Sequence, residues 1–215
     1  MNDHALLDDF VGGYLTAPLP LRLAGQVDLN AGLSIDANGL NLTEAFEGYD
    51  RLIDNDQVTT YFDSVGVLTL GFGHTNLGNI APHISQGDVW NRAMSNSAMD
   101  NDMAYFNVDV RRYFPSYQLN QNQFNALVSF DFNTGALGRS SIPAKIKAGN
   151  LDAAMATLLQ YNHAGGQVLA GLTRRRRAEM LMFQGDVQSA LVLAGAHVDT
   201  RMPMSKATTA PGGET

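Results

Sequence analysis

The first clear pattern of apolar and polar residues along the chain is that of two strands. Two runs rich in β-branched and aromatic residues, Val58–Phe62 and Val67–Phe72, flank the short segment 63–66, which ends in Gly66. Strand-like runs on either side of a short loop that contains glycine are typical of a β-hairpin. We therefore predict a small β-hairpin here, about a quarter of the way along the chain.

Elsewhere in the central part of the chain, apolar residues recur at intervals of three and four, which predicts helices. In the segment 121–132, for example, Phe124, Leu127 and Val128 fall on one side of such a helix. The predicted helices are 41–47 with Asn41 as its cap and Gly48 as its stop, a helix capped by Ser85 that carries Val89, Trp90 and Ala93, and the segments 98–113, 121–132, 151–159, 173–183 and 187–196. The fold class that follows is α+β, with a small β-hairpin lobe, a larger helical lobe and a cleft between them.

The two ends of the chain differ in composition from its centre. Residues 1–38 contain the close pair Pro18 and Pro20, and up to residue 36 they hold five aspartates against one arginine. We predict that they form an acidic N-terminal extension. Residues 197–215 contain too few apolar side chains to offset the entropy of ordering, so a disordered tail is expected. The remaining region, 39–196, is predicted to be one domain.

Composition excludes several classes of protein and site. The chain has 215 residues, of which 45% are hydrophobic, and none of them is cysteine, so disulfides and thiolate sites are excluded. No apolar stretch is long enough to span a membrane, and the N-terminus lacks the pattern of a secretory signal. Phosphate-binding loops and metal-binding helices are also absent from the sequence. We expect no metal, no cofactor and no nucleic-acid partner.

The run Arg174–Arg177 lies in a basic part of the chain. The window 139–185 holds seven basic residues and two acidic ones. Runs of like charge usually mark a solvated helix face, and we predict that these arginines point into solvent and pair with nearby acids. Attraction of an anionic polymer is the alternative.

Two carboxylates and a hydroxyl are expected to meet at the junction of the lobes. Glu47 ends the helix before the hairpin, Asp63 follows the first strand, and Thr69 lies in the second strand. Hydrolysis of a glycosidic bond needs one carboxylic acid to protonate the leaving oxygen and a second carboxylate on the opposite face of the sugar. Aspartates beside a glycine are, however, more often turn formers, so the residues alone leave both roles open.

A family resemblance covers about residues 40–185. The segment F-E-G at 46–48, followed by Y-F-D-S-V-G-V-L-T-L-G-F-G-H-T at 61–75, resembles the active-site block of phage-type lysozymes, glycoside hydrolase family 24. The segments A-L-V-S-F-D-F-N-T-G at 126–135 and G-G-Q-V-L-A-G-L-T-R-R-R-R-A-E at 165–179 resemble the central helix and the C-terminal signature of that family. The resemblance implies a lysozyme-like fold and a muramidase that cuts the bond between N-acetylmuramic acid and N-acetylglucosamine in peptidoglycan.

The resemblance also implies individual roles. Glu47 matches the general acid, Asp63 the carboxylate that activates or positions water, and Thr69 the hydroxyl that orients this water, in a reaction that inverts the anomeric configuration. His74 matches the histidine that closes the block, and we expect it to bond within the hairpin or to contact substrate. Asn133 matches a position on the cleft wall, where it either contacts substrate or caps its helix.

One departure from the family pattern makes Asp56 a rival to Asp63. Family members typically have eight residues between the glutamate and the aspartate, whereas fifteen separate Glu47 from Asp63 here. Asp56 has the usual spacing, but only Asp63 is followed by a glycine three residues later and a threonine six residues later. We therefore favour Asp63, and we expect the additional residues around 54–60 to lengthen the loop or strand beside the cleft.

The route to the target stays open at this point. Synthesis in the host cytoplasm and action on peptidoglycan in the periplasm or cell wall are expected. The domain could act as a free endolysin, or be carried by a phage tail or a secreted antibacterial effector through a partner of the N-terminal extension. A non-catalytic peptidoglycan-binding or virion module is a third interpretation, which the presence of Glu47, Asp63 and Thr69 together disfavours.

Overall fold

The computed structural model describes residues 27–49, 52–54, 56–63 and 66–196. Small antiparallel sheets lie beside a larger helical region, which confirms the predicted α+β class. The predicted tail 197–215 and the first 26 residues of the extension lie outside the described residues. None of the described helices combines the length and the apolar character needed to cross a membrane.

The described helices account for most of the secondary structure. They are α1 (Ala37–Glu47), α2 (Arg92–Tyr113), α3 (Gln121–Thr134), α4 (Ile142–Lys147), α5 (Leu151–Leu158), α6 (Ala170–Gln184) and α7 (Val187–Ala194). The strands are β1 (Leu52–Asp54), β2 (Gln57–Thr59), β3 (Tyr61–Phe62), β4 (Leu68–Leu70), β5 (His74–Thr75), β6 (Val89–Asn91), β7 (His163–Ala164) and β8 (Gln167–Val168).

The strands form two small sheets before α2 and a hairpin before α6. The first sheet has the order β1-β2-β6, the second has the order β3-β4-β5, and β7 pairs with β8. All pairs are antiparallel. The predicted hairpin is therefore confirmed as β3-β4, with Tyr61 opposite Thr69, but the residues Val58 and Thr59 of the predicted first strand belong to the other sheet.

The helical core is built around α3. This helix packs against α1, α2 and α6, and it is almost completely buried from Phe124 to Asp131. Its N-terminus is closed by a capping box, in which Asn120 and Gln123 each bond the backbone of the other. Its apolar residues, with the buried polar side chains of Asn125, Ser129 and Asp131, face the surrounding helices, and the helix predicted for this segment is confirmed.

Several helix starts differ from the predictions: α6 begins at Ala170 and not at 173, and α1 and α2 also begin earlier than expected. Helix α1 begins at Ala37 because the side chain of Asp36 accepts the N–H groups of Asn38 and Gly39, while Asn41 is buried inside the helix. The predicted helix after Ser85 is wrong. Val89 and Trp90 instead form β6, because they pair with β2, and α2 then runs without interruption from Arg92.

Residues 27–36 pack against the domain that follows them. The side chain of Asn30 is fully buried and donates to the carbonyl oxygens of Phe114 and Tyr117 at 2.7 and 2.8 Å. It also accepts the N–H of Leu119 at 2.9 Å, so it bonds three backbone groups in the turn between α2 and α3. The boundary at residue 38 stays a prediction, but this part of the extension is joined to the helical core.

We expect Asn30→Ala to lower the free energy of unfolding by roughly 2–4 kcal/mol, because three buried backbone groups lose their partner. Urea unfolding followed by circular dichroism measures this change. Asn150→Ala is the matched control, since Asn150 is exposed and its side chain makes no capping bond at the start of α5. Equal effects of the two substitutions would contradict an anchoring role for Asn30.

Candidate active site

Glu47 is the last residue of α1 and lies next to the second sheet. Helix α1 ends here because Gly48 takes a positive φ of 76° while its N–H bonds the carbonyl of Glu44. The Glu47 side chain is 18% exposed, so it is accessible to a ligand although it is mostly covered. A Cβ placed on Gly73, in the turn between β4 and β5, would lie 3.9 Å from Glu47 Oε2. That turn therefore passes directly beside the carboxylate.

Asp63 and Thr69 lie on the sheet to which this turn belongs. Thr69 is in β4, paired with Tyr61 on one side and Thr75 on the other, and it is buried. Its hydroxyl donates to the carbonyl of Val67 at 3.1 Å. Asp63 directly follows β3, two residues after Tyr61, the residue that pairs with Thr69.

Asp63 also closes the hairpin loop. Its Oδ1 accepts the N–H of Val67 at 2.7 Å, and its backbone bonds Gly66 and Val67 at 3.1 and 3.0 Å. The turn-forming role that we left open for this residue is thus present. It coexists with a position at the end of β3 next to β4, and the bond to Val67 fixes the carboxylate there.

Arg175 of α6 holds Glu47 from the helical side. Arg175 Nη1 lies 2.5 Å from Glu47 Oε1, and Arg175 Nε lies 3.2 Å from Glu179 Oε1. Arg175 Nη2 donates to the carbonyl of Ser129 on α3, whose hydroxyl donates to Glu179 Oε1 at 3.0 Å. The arginine thereby links the end of α1 to both α3 and α6.

Arg176 extends this group of charges into the core. Its Nε lies 2.9 Å from Glu179 Oε2, and its Nη2 donates to Glu179 Oε1 at 2.9 Å and to Asn133 Oδ1 at 2.8 Å. Both Arg176 and Glu179 are fully buried. Burial lowers the pKa of Arg176 to about 10, with the charge of Glu179 opposing the shift, so this guanidinium stays charged at neutral pH.

The prediction that the arginine run is a solvated face is wrong for two of its four members. Arg174 and Arg177 are exposed, but Arg175 and Arg176 are 3% and 0% exposed. The sequence contained a signal for this difference. Arg175 and Arg176 follow Leu172 by three and four residues, so they share its buried face of α6 and not the solvent face.

His74 is buried and bonded on both sides of its ring. Its Nδ1 lies 2.9 and 3.1 Å from the two oxygens of Asp102 on α2, and its Nε2 donates to the carbonyl of Pro82 at 2.7 Å. It also packs against Trp90. The expected bonding partners within the hairpin are therefore replaced by partners on α2 and in the loop 76–88. With both ring nitrogens occupied, His74 supports the fold in this geometry.

Asn133 and Asp56 each have a specific structural partner. Asn133, in the last turn of α3, accepts a hydrogen bond from Arg176, while Gly135 in the left-handed conformation ends the helix. Asp56 accepts the backbone N–H of Arg92 at the start of α2, and its carbonyl accepts the hydroxyl of Tyr49. Among the described residues, no group of three histidine, aspartate or glutamate side chains is arranged to hold a metal ion.

The buried pair His74–Asp102 should make stability depend on pH. Burial alone would lower the pKa of His74, but the hydrogen bond and the charge of Asp102, with the Pro82 carbonyl, outweigh it and raise the pKa above its usual 6.5. A histidine with a raised pKa stabilises the fold fully below pH 6.5, and this contribution is lost as the pH rises through the raised value.

We expect Asp102→Asn to cost roughly 3–5 kcal/mol of unfolding free energy at pH 5.5, because it leaves a buried charge without its partner. The cost should be smaller at pH 9.5, where a greater fraction of His74 is neutral. Urea unfolding at the two pH values measures both, with Asp100→Asn, an exposed position on the same helix, as the control. The same loss at both values would rule out an ionised pair.

Comparison with known proteins places this geometry in a family. The family model described as phage lysozyme matches residues 45–179. The endolysin of Lactococcus phage c2 is 31% identical over 160 residues, which cover 73% of this chain but only 63% of that endolysin. The structure of the muramidase domain of SpmX from Asticaccaulis excentricus aligns with a TM-score of 0.60 and 27% identity, covering 70% of this chain and 97% of that domain. A mutant of P22 lysozyme aligns with the same TM-score and identity over 71% of this chain and 99% of that one. The chain therefore belongs to the phage lysozyme family.

Proposed function

We propose that this protein is a peptidoglycan muramidase that hydrolyses the β-1,4 bond between N-acetylmuramic acid and N-acetylglucosamine. The observation that carries this proposal is the position of the Glu47 carboxylate, which lies against a turn of the sheet that bears Asp63 and Thr69. In a member of the phage lysozyme family, these are the side chains that the hydrolysis of a sugar backbone needs.

Glu47 acts as the general acid in this mechanism. It protonates the oxygen of the leaving N-acetylglucosamine, which departs as a neutral alcohol. The partial exposure of the side chain lets a sugar oxygen approach, while the bond from Arg175 to Oε1 fixes the plane of the carboxyl group. Oε2, on the side of the β4–β5 turn, is then the oxygen aimed toward the sheet.

Asp63 and Thr69 act on the attacking water. Asp63 accepts a proton from the water while the water oxygen bonds to the anomeric carbon, on the face opposite the leaving group. The Thr69 hydroxyl already donates its proton to the Val67 carbonyl, so toward the water its oxygen acts as an acceptor and orients one O–H. Attack from the opposite face inverts the anomeric configuration, and the first product has an α-configured reducing end.

The site of action follows from the substrate. We place the enzyme on peptidoglycan in the periplasm or cell wall after synthesis in the host cytoplasm, with delivery through a partner of the acidic N-terminal extension as the alternative to release as a free endolysin. Copurification with a tail or secretion component would favour the delivered form. Lysis only after membrane permeabilisation would favour the free form.

We expect Glu47→Gln to lower the release of reducing ends from purified peptidoglycan by about a thousandfold or more, because the proton donor is lost at nearly constant volume. Asp63→Asn should cost about a hundredfold or more, since its amide cannot take the proton of the water. A reducing-sugar assay measures both, and early NMR spectra of the products should contain the α anomer.

Asp56→Asn is the matched control for Asp63→Asn. An asparagine at 56 keeps the side-chain oxygen that accepts the Arg92 N–H, so we expect activity within about twofold of the unmodified protein. Loss of activity in Asp56→Asn but not in Asp63→Asn would reverse our assignment. Binding to cell walls without any release of reducing ends by the unmodified protein would support a non-catalytic module.

A further inference from the structure

The consecutive residues Arg174 and Arg175 have different surroundings although both contact the same aromatic ring. The guanidinium carbons of Arg174 and Arg175 lie 5.4 and 5.6 Å from the ring centre of Phe46, the residue before Glu47. Arg175 is buried and paired with Glu47, whereas Arg174 is exposed. Arg174 is therefore an exposed cation on a ring whose other cationic neighbour, Arg175, is paired with the carboxylate that we assign as the general acid.

Within the described parts of the chain, the Arg174 guanidinium has no hydrogen bond or ion pair. Glu47 and Glu179 are bonded to its buried neighbours Arg175 and Arg176. An exposed arginine without a carboxylate partner adds little to stability. Contact with the Phe46 ring restricts the side chain, while the N–H groups at the edge of the guanidinium can still bind a ligand.

The proposed substrate supplies an anion at this place. The muramyl sugar carries a peptide on its lactyl group, two carbons from the anomeric carbon, and this peptide contains free carboxylates. A planar guanidinium binds a carboxylate through two parallel N–H donors. A glycan strand whose scissile bond lies at Glu47 would bring the peptide of the muramyl sugar close to the rim formed by Phe46 and Arg174.

We propose that Arg174 is a specificity-determining residue that binds a carboxylate of the peptide stem of peptidoglycan. This inference rests on the proposed muramidase function. It predicts that the enzyme distinguishes glycan strands that carry peptides from strands without them, and that Arg174 accounts for a substantial part of this difference through KM.

The test compares two substrates and two variants. Initial rates of reducing-end release are measured on intact peptidoglycan and on glycan strands freed of peptides by an amidase. We expect Arg174→Gln to raise KM on intact peptidoglycan by about tenfold with kcat nearly unchanged, the effect of losing one charge-assisted contact. On peptide-free strands Arg174→Gln should match the unmodified protein. Arg174→Lys, which keeps the charge but not the planar pair of donors, should fall between the two on intact peptidoglycan.

Arg177→Gln is the matched control, because Arg177 is exposed on the same helix and removing it changes the net charge equally. It should leave KM on both substrates within about twofold, as expected for a peripheral exposed charge. Equal losses for Arg174→Gln on both substrates, or an effect of Arg177→Gln as large as that of Arg174→Gln, would overturn the proposal.

Failure of the proposed function gives a different result. In that case the unmodified protein cleaves neither substrate, and sedimentation with intact sacculi replaces the rates as the measurement. Weaker sedimentation of Arg174→Gln than of Arg177→Gln, seen with intact but not with peptide-free material, would still support the carboxylate contact. Equal sedimentation of the two variants would exclude it.

Discussion

The site depends on a group of four charges, Glu47, Arg175, Arg176 and Glu179, gathered where α1 meets α6. Their charges sum to zero, and three of the four side chains are almost completely buried. Removing one of the three buried members would leave an unpaired charge in the core, which typically costs about 3–5 kcal/mol, whereas Arg175 keeps its bond to Glu179 when Glu47 is neutral. Glu47 is the member at the surface of this group. A carboxylate that must act on a ligand is thus positioned by a part of the core that has little freedom to rearrange.

The other half of the site is positioned by an independent contact. Asp63 and Thr69 belong to the second sheet, whose last strand begins at His74, and the bond from His74 to Asp102 joins that strand to α2. Helix α2 continues from there into the helical core, where Phe106 and Val110 are buried. The sheet is therefore fixed to the same helical framework that holds Glu47, through an ion pair of its own.

Structural elements defined by residues close together in sequence were predicted correctly. The hairpin and α3 are determined by close neighbours, since a glycine-containing loop and an apolar face are sufficient to define them. The position of Glu47 before the stop at Gly48 is also local, and the structure agrees with it. What these elements share is that the residues which define their bounds, such as the capping residue Asn120 and the stop Gly48, lie within or beside them in sequence.

Features that depend on contacts between residues far apart in sequence were not predicted correctly. Val89 and Trp90 have a helical spacing but form a strand, because β2 offers them a backbone to pair with. Arg175 and Arg176 lie on the buried face of α6, where Glu47, Ser129 and Asn133 of other helices bond them together with Glu179. His74 found its partners on α2 and at Pro82 for the same reason. Sequence spacing alone contains none of these distances.

The additional residues between Glu47 and Asp63 show that the arrangement of the hairpin does not depend on the number of residues between the two carboxylates. Residues 52–54 and 57–59 form β1 and β2, which make a sheet with β6 and leave the β3-β4-β5 sheet intact. Tyr49, Asp56 and Arg92 join this sheet to α2: Arg92 lies 4.0 Å from the centre of the Tyr49 ring, whose hydroxyl donates to Asp56. The extra length is absorbed before Tyr61, so Asp63 keeps its relation to Gly66 and Thr69. The second carboxylate should therefore be assigned from its spacing to Gly66 and Thr69 in the hairpin, and not from the number of residues after Glu47.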